Sequence, residues 1–244
     1  MEAGGSPSGG LGAELDRIEA AVDTGDTDLG RLGFWRVVGL IKRDDELIDR
    51  YAEQVGRVDA KAFDSRFPHR VPLWLGNALL AALIAVGVVA AWAAVLFAID
   101  TSSEARTAVG VALLVAALAW MVGLHSSTHY FVGRLVGIRF RRYFFVIPPP
   151  PLPGLKTDYA TYLRATPTGR AWMHASGAVA TKLAPFLALA LVPATGAPGW
   201  AVIVLLGLGA FQIVTDVLLS TKASDWKKVR RELEIGRARR RTAV

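Results

Sequence analysis

Two histidines four residues apart are the most informative feature of this 244-residue chain: His125 and His129 enclose the segment Ser-Ser-Thr. On an α-helix, side chains at positions i and i+4 project from one face about one turn apart. This spacing lets two imidazoles bind one Zn²⁺ ion, which at a catalytic site also takes a third protein ligand and a water molecule. The pair therefore predicts a metal site, provided that a third ligand lies nearby.

Asp216 is the candidate third ligand, because it is a carboxylate within a long apolar segment. Charged side chains inside membrane spans are costly and mark functional sites, and Lys182 is the other such residue in the later apolar segments. We expect His125, His129 and Asp216 to bind zinc or another divalent metal, such as iron or manganese. The competing interpretation is an ion pair between Lys182 and Asp216, with both histidines merely at the membrane surface.

The remaining histidines are His69, before the first apolar segment, and His174, at the start of the third. His174 is a candidate further ligand, hydrogen-bond partner or catalytic donor, whereas we expect His69 to lie at the membrane interface. Histidines at one depth also permit a haem-b electron carrier with two axial histidines, but an i, i+4 pair beside a carboxylate fits that site poorly. The chain has no cysteine, so thiolate metal sites and disulfides are excluded.

These residues lie at the ends of apolar segments long enough to cross a bilayer. The chain is 52% hydrophobic and 20% charged, and a bilayer core about 30 Å thick needs about 20 apolar residues of helix. A soluble globular protein is therefore excluded. We predict an all-α membrane protein with four transmembrane helices and a membrane domain over 71–220, whose spans are 71–99, 107–132, 172–193 and 200–220.

Lysine and arginine set the expected orientation. The loop 133–171 holds seven of them against one acid, and the tail 221–244 holds nine against three, whereas the other two loops hold one. The positive-inside rule places both termini and the long loop in the cytoplasm, in an integral protein of the cell membrane. The net charge of +7 then reflects topology and contact with lipid headgroups, and we expect no nucleic-acid partner.

The parts outside the membrane have mixed character. Residues 1–12 are rich in Gly and Ser and are expected to be disordered, and 13–70 forms a small cytoplasmic helical region that packs on itself, on the loop or on a partner. Within the loop 133–171, the segment GIRFRRYFFVI favours one or two strands, and five prolines between 148 and 153 predict a rigid extended run. The basic tail 221–244 is expected to contain a helix that starts at Ser224 or Asp225.

The order of these features resembles the site-2 protease (M50) family of intramembrane metallopeptidases over residues 107–220. His125–His129 and the following Tyr-Phe-Val-Gly-Arg are similar to the family's HExxH helix, the small residues 175–180 resemble its second core helix, and Thr215-Asp216 stands where the family has Asp-Gly. The resemblance implies a three-helix core with one extra N-terminal span, zinc as cofactor, and a membrane-spanning protein as substrate.

The chain departs from this family at the residue that matters most for hydrolysis. Ser126 replaces the glutamate of HExxH, the general base that deprotonates the attacking water, and a hydroxyl group has no pKa suited to that role at neutral pH. Lys182 and His174 are the candidate replacements. The sequence thus supports a metal site better than peptide hydrolysis, and two functions stay open: an intramembrane metallopeptidase, or a catalytically inactive pseudoprotease that binds metal or membrane partners.

Overall fold

A computed structural model of the chain describes residues 7–67, 69–146, 152–218 and 224–242. The chain forms two compact units. The membrane unit comprises Trp74–Val132 and Ala171–Arg230. The second unit, termed the peripheral unit, comprises Met1–Leu73, Gly133–Arg170 and Arg231–Val244. Ten helices and three short strands make up the described residues.

Four of the helices are long and apolar enough to cross a membrane, as predicted. They are α4 (Leu73–Phe97), α5 (Ser103–Leu135), α7 (Pro167–Leu189), which is followed by the short α8 (Val192–Thr195), and α9 (Gly199–Leu218). Helix α5 extends beyond the predicted span 107–132 at both ends because it continues into flanking polar turns, whereas α4 lies within the predicted 71–99 and α7 begins before 172 and ends at Leu189, short of the predicted 193. The described part of the fourth span ends at Leu218, and 219–223 lie outside the described residues.

Small side chains let the spanning helices pack closely. One buried cluster of the membrane unit is made mostly of alanine, with one leucine from each of two helices; its members are Ala94, Val109, Ala112, Leu113, Ala117, Ala188 and Leu205. Between membrane helices, lipid provides no hydrophobic driving force, so close van der Waals contact between small residues stabilises the association. The metal-ligand candidates lie on these helices.

The peripheral unit contains α1 (Pro7–Asp23), α2 (Phe34–Ile41), α3 (Asp45–Arg66) and α6 (Tyr159–Arg164). Their apolar faces form one buried core, in which Phe34, Val38 and Val55 pack with Leu163 of the loop segment. The helical N-terminal region thus packs on itself and on the loop. The expected disorder of 1–12 does not hold for 7–12, because α1 begins at Pro7 and Leu11 contacts this core; residues 1–6 lie outside the described residues.

A small antiparallel sheet corrects the prediction of an all-α fold. Its strand order is β1 (Arg70–Pro72), β2 (Phe140–Val146), β3 (Leu152–Thr157). The strand expected in GIRFRRYFFVI is β2, whereas β1 was included in the first predicted span and β3 was not predicted. Pro153 falls in β3, which is an edge strand, the position in a sheet where proline is tolerated. Most of the expected proline run, 147–151, lies outside the described residues.

Helix α10 (Asp225–Thr242) follows the last span, as the sequence predicted for the tail. Within the peripheral unit, its Glu232 is fully buried and accepts hydrogen bonds from Lys42 Nζ and Arg170 Nε at 2.6 Å each, and from the Tyr162 hydroxyl at 3.0 Å. Burial alone would raise the pKa of Glu232, but the two cations outweigh this effect and lower it from 4.5 to about 2. Glu232 is therefore ionised at neutral pH.

Candidate metal centre

The two histidines of the i, i+4 pair face one carboxylate in the membrane unit. His125 and His129 lie on α5 with their ring centroids 4.7 Å apart. The Oδ2 atom of Asp225, in the first turn of α10, lies 3.2 Å from His129 Nε2 and 3.9 Å from His125 Nε2. These three residues offer ligand atoms that all lie within 4.8 Å of one another. The helical spacing therefore brings the two imidazoles together as predicted.

A hydrogen bond to the backbone fixes the tautomer of His129. Its Nδ1 lies 2.6 Å from the carbonyl oxygen of Met173 on α7. A carbonyl oxygen can only accept, so Nδ1 must carry the proton. In the neutral ring, Nε2 then has a free lone pair, and this lone pair faces the carboxylate oxygen of Asp225.

The same reasoning applies to His125 through a side chain. Its Nδ1 lies 2.8 Å from the hydroxyl oxygen of Thr181. That hydroxyl donates its only hydrogen to the carbonyl oxygen of Gly177 at 2.9 Å, so it accepts from His125. Both neutral imidazoles thus have unprotonated Nε2 atoms near one anionic oxygen. A divalent cation between the three atoms would satisfy this arrangement, and so would a proton on His129 Nε2 donated to Asp225 Oδ2 for that one ring.

The two separations between the imidazole nitrogens and the Asp225 oxygen are close to those of metal ligands. Zinc binds imidazole nitrogen and carboxylate oxygen at about 2.0–2.2 Å, so two ligand atoms of a tetrahedral site lie about 3.3–3.5 Å apart. The two N–O separations, 3.2 and 3.9 Å, bracket this distance. Hydrogen bonds from the distal ring nitrogens to a carbonyl and a hydroxyl are the usual outer contacts of metal-bound histidine. The donor set suits zinc and other divalent metals that accept imidazole and carboxylate.

Asp225 is held by further cationic or polar neighbours. Lys228 Nζ donates to its Oδ1 at 3.1 Å, and His174 Nδ1 lies 3.8 Å from the same oxygen. Burial would raise the pKa of Asp225, but hydrogen bonds from His129 and His174 and the positive charges of Lys228 and of a protonated His129 outweigh it and hold this pKa far below its usual range. The carboxylate is therefore ionised and available as a ligand. His174 thus lies within ion-pair distance of Asp225, and its role stays a prediction.

Gly177 on α7 provides the space for the His129 ring. A Cβ atom added at Gly177 would lie 2.2 Å from His129 Nε2 and 2.6 Å from two ring carbons. Only glycine allows the imidazole to lie against the α7 backbone at this point. The small-residue stretch 175–180 therefore has a specific function here, because it lets α5 and α7 approach until Met173 and Thr181 reach the two histidines.

Asp216, the predicted third ligand, is bonded elsewhere. Its carboxylate accepts a hydrogen bond from Lys182 Nζ, and the ligand group formed by the described residues contains Asp225 in its place. The physical reason is that a lone carboxylate in a membrane-spanning helix is costly, and Lys182 on α7 neutralises it. The ion pair considered as the competing interpretation is thus present, and it coexists with the histidine cluster.

The ion pair and the histidine cluster nevertheless border one cavity. A cavity of about 270 Å³ in the membrane unit is lined by His125, Asp225, Lys182 and Asp216, together with Ala178, Thr181, Gln212, Thr215 and Ser224. Ser126, which stands at the position of the family's glutamate, is only 3% exposed and is not among these lining residues. His69 is exposed and belongs to the peripheral unit, so the structure gives it no part in this site.

Comparison of the chain with family models, curated proteins and solved structures finds no match.

Proposed function

We propose that this protein is a membrane-embedded, metal-dependent hydrolase that binds one divalent cation, preferably zinc, through His125, His129 and Asp225. One observation carries the proposal: two Nε2 lone pairs, each fixed by a hydrogen bond at the opposite ring nitrogen, converge on one ionised carboxylate oxygen. A divalent cation satisfies all three atoms at once. Protonation of His129 alone would let it donate to Asp225 at 3.2 Å but would leave the Nε2 atom of His125, 3.9 Å from the same oxygen, without a partner there.

The number of ligands favours a catalytic metal. Structural zinc sites are closed by four protein ligands, whereas catalytic sites have three and leave a position open. Two of the three proposed ligands, His125 and Asp225, line the cavity of about 270 Å³, which has room for a water molecule and the reacting part of a substrate. A zinc ion held there would polarise a carbonyl group and lower the pKa of a bound water.

The substrate class follows from the location of the cavity. Helices α5, α7 and α9 supply most of its lining, and all three are apolar enough to cross a membrane. We therefore propose a membrane-embedded protein segment as substrate, in the manner of the site-2 proteases that residues 107–220 resemble. The proposed site departs from that family in taking its carboxylate ligand from α10, after the last span, with lipid headgroups as the expected surroundings of that helix.

A second candidate function is a pseudoprotease that binds the metal without catalysis. The observation that favours it is the burial of Ser126 away from the cavity, because no base occupies the position of the family's glutamate. Cleavage of dye-labelled casein in detergent, with and without a chelator, separates the two functions. Chelator-sensitive cleavage by the wild type supports the hydrolase; cleavage only by Ser126→Glu supports the pseudoprotease.

Metal content tests the site directly. We expect about one equivalent of zinc in detergent-purified wild type, and loss of this metal in His125→Ala and in Asp225→Ala. The matched controls are His69→Ala, which removes an exposed histidine of the peripheral unit, and Asp216→Asn, which neutralises the carboxylate paired with Lys182; both should retain the metal. Equal, near-zero metal in all five proteins would refute the site, and loss in Asp216→Asn alone would restore Asp216 as the ligand.

A further inference from the structure

The Lys182–Asp216 pair is the second charged feature of the cavity, and metal binding does not explain it. Lys182 Nζ donates to the Asp216 carboxylate and lies 3.2 Å from the carbonyl oxygen of Ala178. The same ammonium group lies 5.8 Å from the centroid of the Trp226 ring. A carboxylate, a carbonyl and an aromatic face thus fix its position. Because both charges line the cavity rather than lipid, the pair faces whatever binds there.

Three of the described lining residues carry side chains that can accept a proton, His125, Asp216 and Asp225, and the first and last of these are proposed metal ligands. Among the described residues that line the cavity, the carboxylates are Asp216 and Asp225, and Asp225 is committed to the two histidines and Lys228. The hydroxyl and amide side chains there do not accept protons at neutral pH. Lys182 is an ammonium group that donates to Asp216, so it is already protonated. Asp216 is therefore the group left to accept a proton.

We propose that Asp216 is the general base of this site and that Lys182 is its positioning residue. In the hydrolysis of an amide, Asp216 takes a proton from a water molecule while the water oxygen forms a bond to the carbonyl carbon. Asp216 then returns this proton to the amide nitrogen as the C–N bond breaks, so the carboxylate is regenerated and water is the only co-reactant. Lys182 holds the Asp216 carboxylate in place through their ion pair at the cavity. This inference rests on the proposed function of the metal site.

Cobalt provides a probe that does not depend on finding a substrate. Co²⁺ replaces zinc in imidazole and carboxylate sites. Its visible spectrum changes when the metal-bound water loses a proton, so a titration over about two pH units on either side of neutrality gives the midpoint of that proton loss. Removing a nearby negative charge favours proton loss, and removing a positive charge opposes it. Asp216→Asn should therefore move the midpoint of the spectral change down by about one pH unit, and Lys182→Gln should move it up by a similar amount.

The matched control is Asp100→Asn, which removes a carboxylate from the loop before α5. His125 lies 22 residues beyond Ser103, the first residue of α5, so about 33 Å of helix separates the two, and the midpoint should not move. If the zinc-loaded wild type cleaves casein, Asp216→Asn should also lower the rate by about 100-fold without loss of metal.

The outcomes separate this inference from the proposed function. A wild type that binds no Co²⁺ refutes the metal site itself. Cobalt binding by all proteins with unchanged midpoints in both Asp216→Asn and Lys182→Gln overturns the base assignment and leaves the metal site standing. Loss of cobalt from a monodisperse Asp216→Asn protein also overturns it, because Asp216 would then be a ligand. If one of the two variants aggregates, the other alone tests the base assignment: a midpoint shift of the predicted sign supports it, and an unchanged or opposite midpoint overturns it.

Discussion

Substitution of Gly177 by alanine should weaken metal binding more than about 100-fold while leaving the helices intact. The added Cβ would lie 2.2 Å from His129 Nε2, whereas ordinary contacts of a Cβ atom begin at about 3.4 Å. The ring must therefore retreat by about 1 Å, several times the deviation of about 0.2 Å that a metal–ligand bond accepts. His129 would consequently cease to be a ligand.

The size of the effect follows from the number of ligands. Zinc binding to a protein site is worth at least about 10 kcal/mol, so losing one of three ligands removes about 3 kcal/mol. This loss corresponds to an increase in Kd of more than about 100-fold. The stability of helix α7 itself should increase slightly, because alanine is preferred over glycine in helix interiors by about 1 kcal/mol.

The assay is competition for Zn²⁺ between detergent-purified protein and a chelator of known affinity, accompanied by thermal unfolding. Gly207→Ala on α9 is the matched control, because a Cβ added there has no neighbour within 4 Å; its zinc affinity should equal that of the wild type. Wild-type zinc affinity in Gly177→Ala would show that the His129 ring is not where the structure places it, and the reasoning would fail.

Three further predictions concern the surroundings of the site and the peripheral unit. Thr181→Val removes the hydrogen-bond acceptor of His125 Nδ1 and should weaken zinc binding about 10- to 100-fold. Its control is Thr215→Val, which should leave zinc binding unchanged because the Thr215 hydroxyl donates within its own helix. Equal zinc affinities of the two variants in a chelator competition would refute the role of Thr181. Glu232→Gln leaves two buried cations uncompensated and should lower the free energy of unfolding by about 3–5 kcal/mol. Glu234→Gln, at an exposed position of the same helix, should change the free energy of unfolding little. Similar denaturant midpoints for the two variants would contradict the stabilising role of Glu232. Because the pKa of Glu232 is lowered to about 2 in the folded protein, its contribution is complete above its ordinary pKa of 4.5 and is lost as pH falls toward 2. Stability of the wild type should therefore decrease over that window, and a flat profile in acid titration would argue against the buried pair.

The sequence predicted the elements better than the third ligand. The four spanning helices follow from apolar length alone, and the common face of His125 and His129 follows from the helical repeat. Asp216 was singled out because a charge within an apolar segment is conspicuous. That same cost explains why it is neutralised by Lys182, so the signal marked an ion pair on the cavity instead of a ligand.

Asp225 carried no comparable signal. An acid in the first turn of a polar helix is ordinary, since it caps the helix and interacts favourably with its positive end, and its sequence position was interpreted in that way. Its proximity to the histidines depends on the tertiary position of the first turn of α10 and on the packing of α5 against α7, which no local pattern encodes. Gly177 and Thr181 were likewise visible only as small residues, and their roles emerge from contacts with the two imidazoles.

X-ray absorption at the zinc K-edge of the purified, zinc-loaded protein tests the central claim most directly. The account predicts a first shell of two imidazole nitrogens and one or two oxygens at about 2.0–2.2 Å, with the outer-shell scattering typical of histidine rings. This imidazole signal should fall by half in His129→Ala. A shell made of oxygen alone, or of a single imidazole in the wild type, would contradict the convergence of His125, His129 and Asp225 on one metal ion.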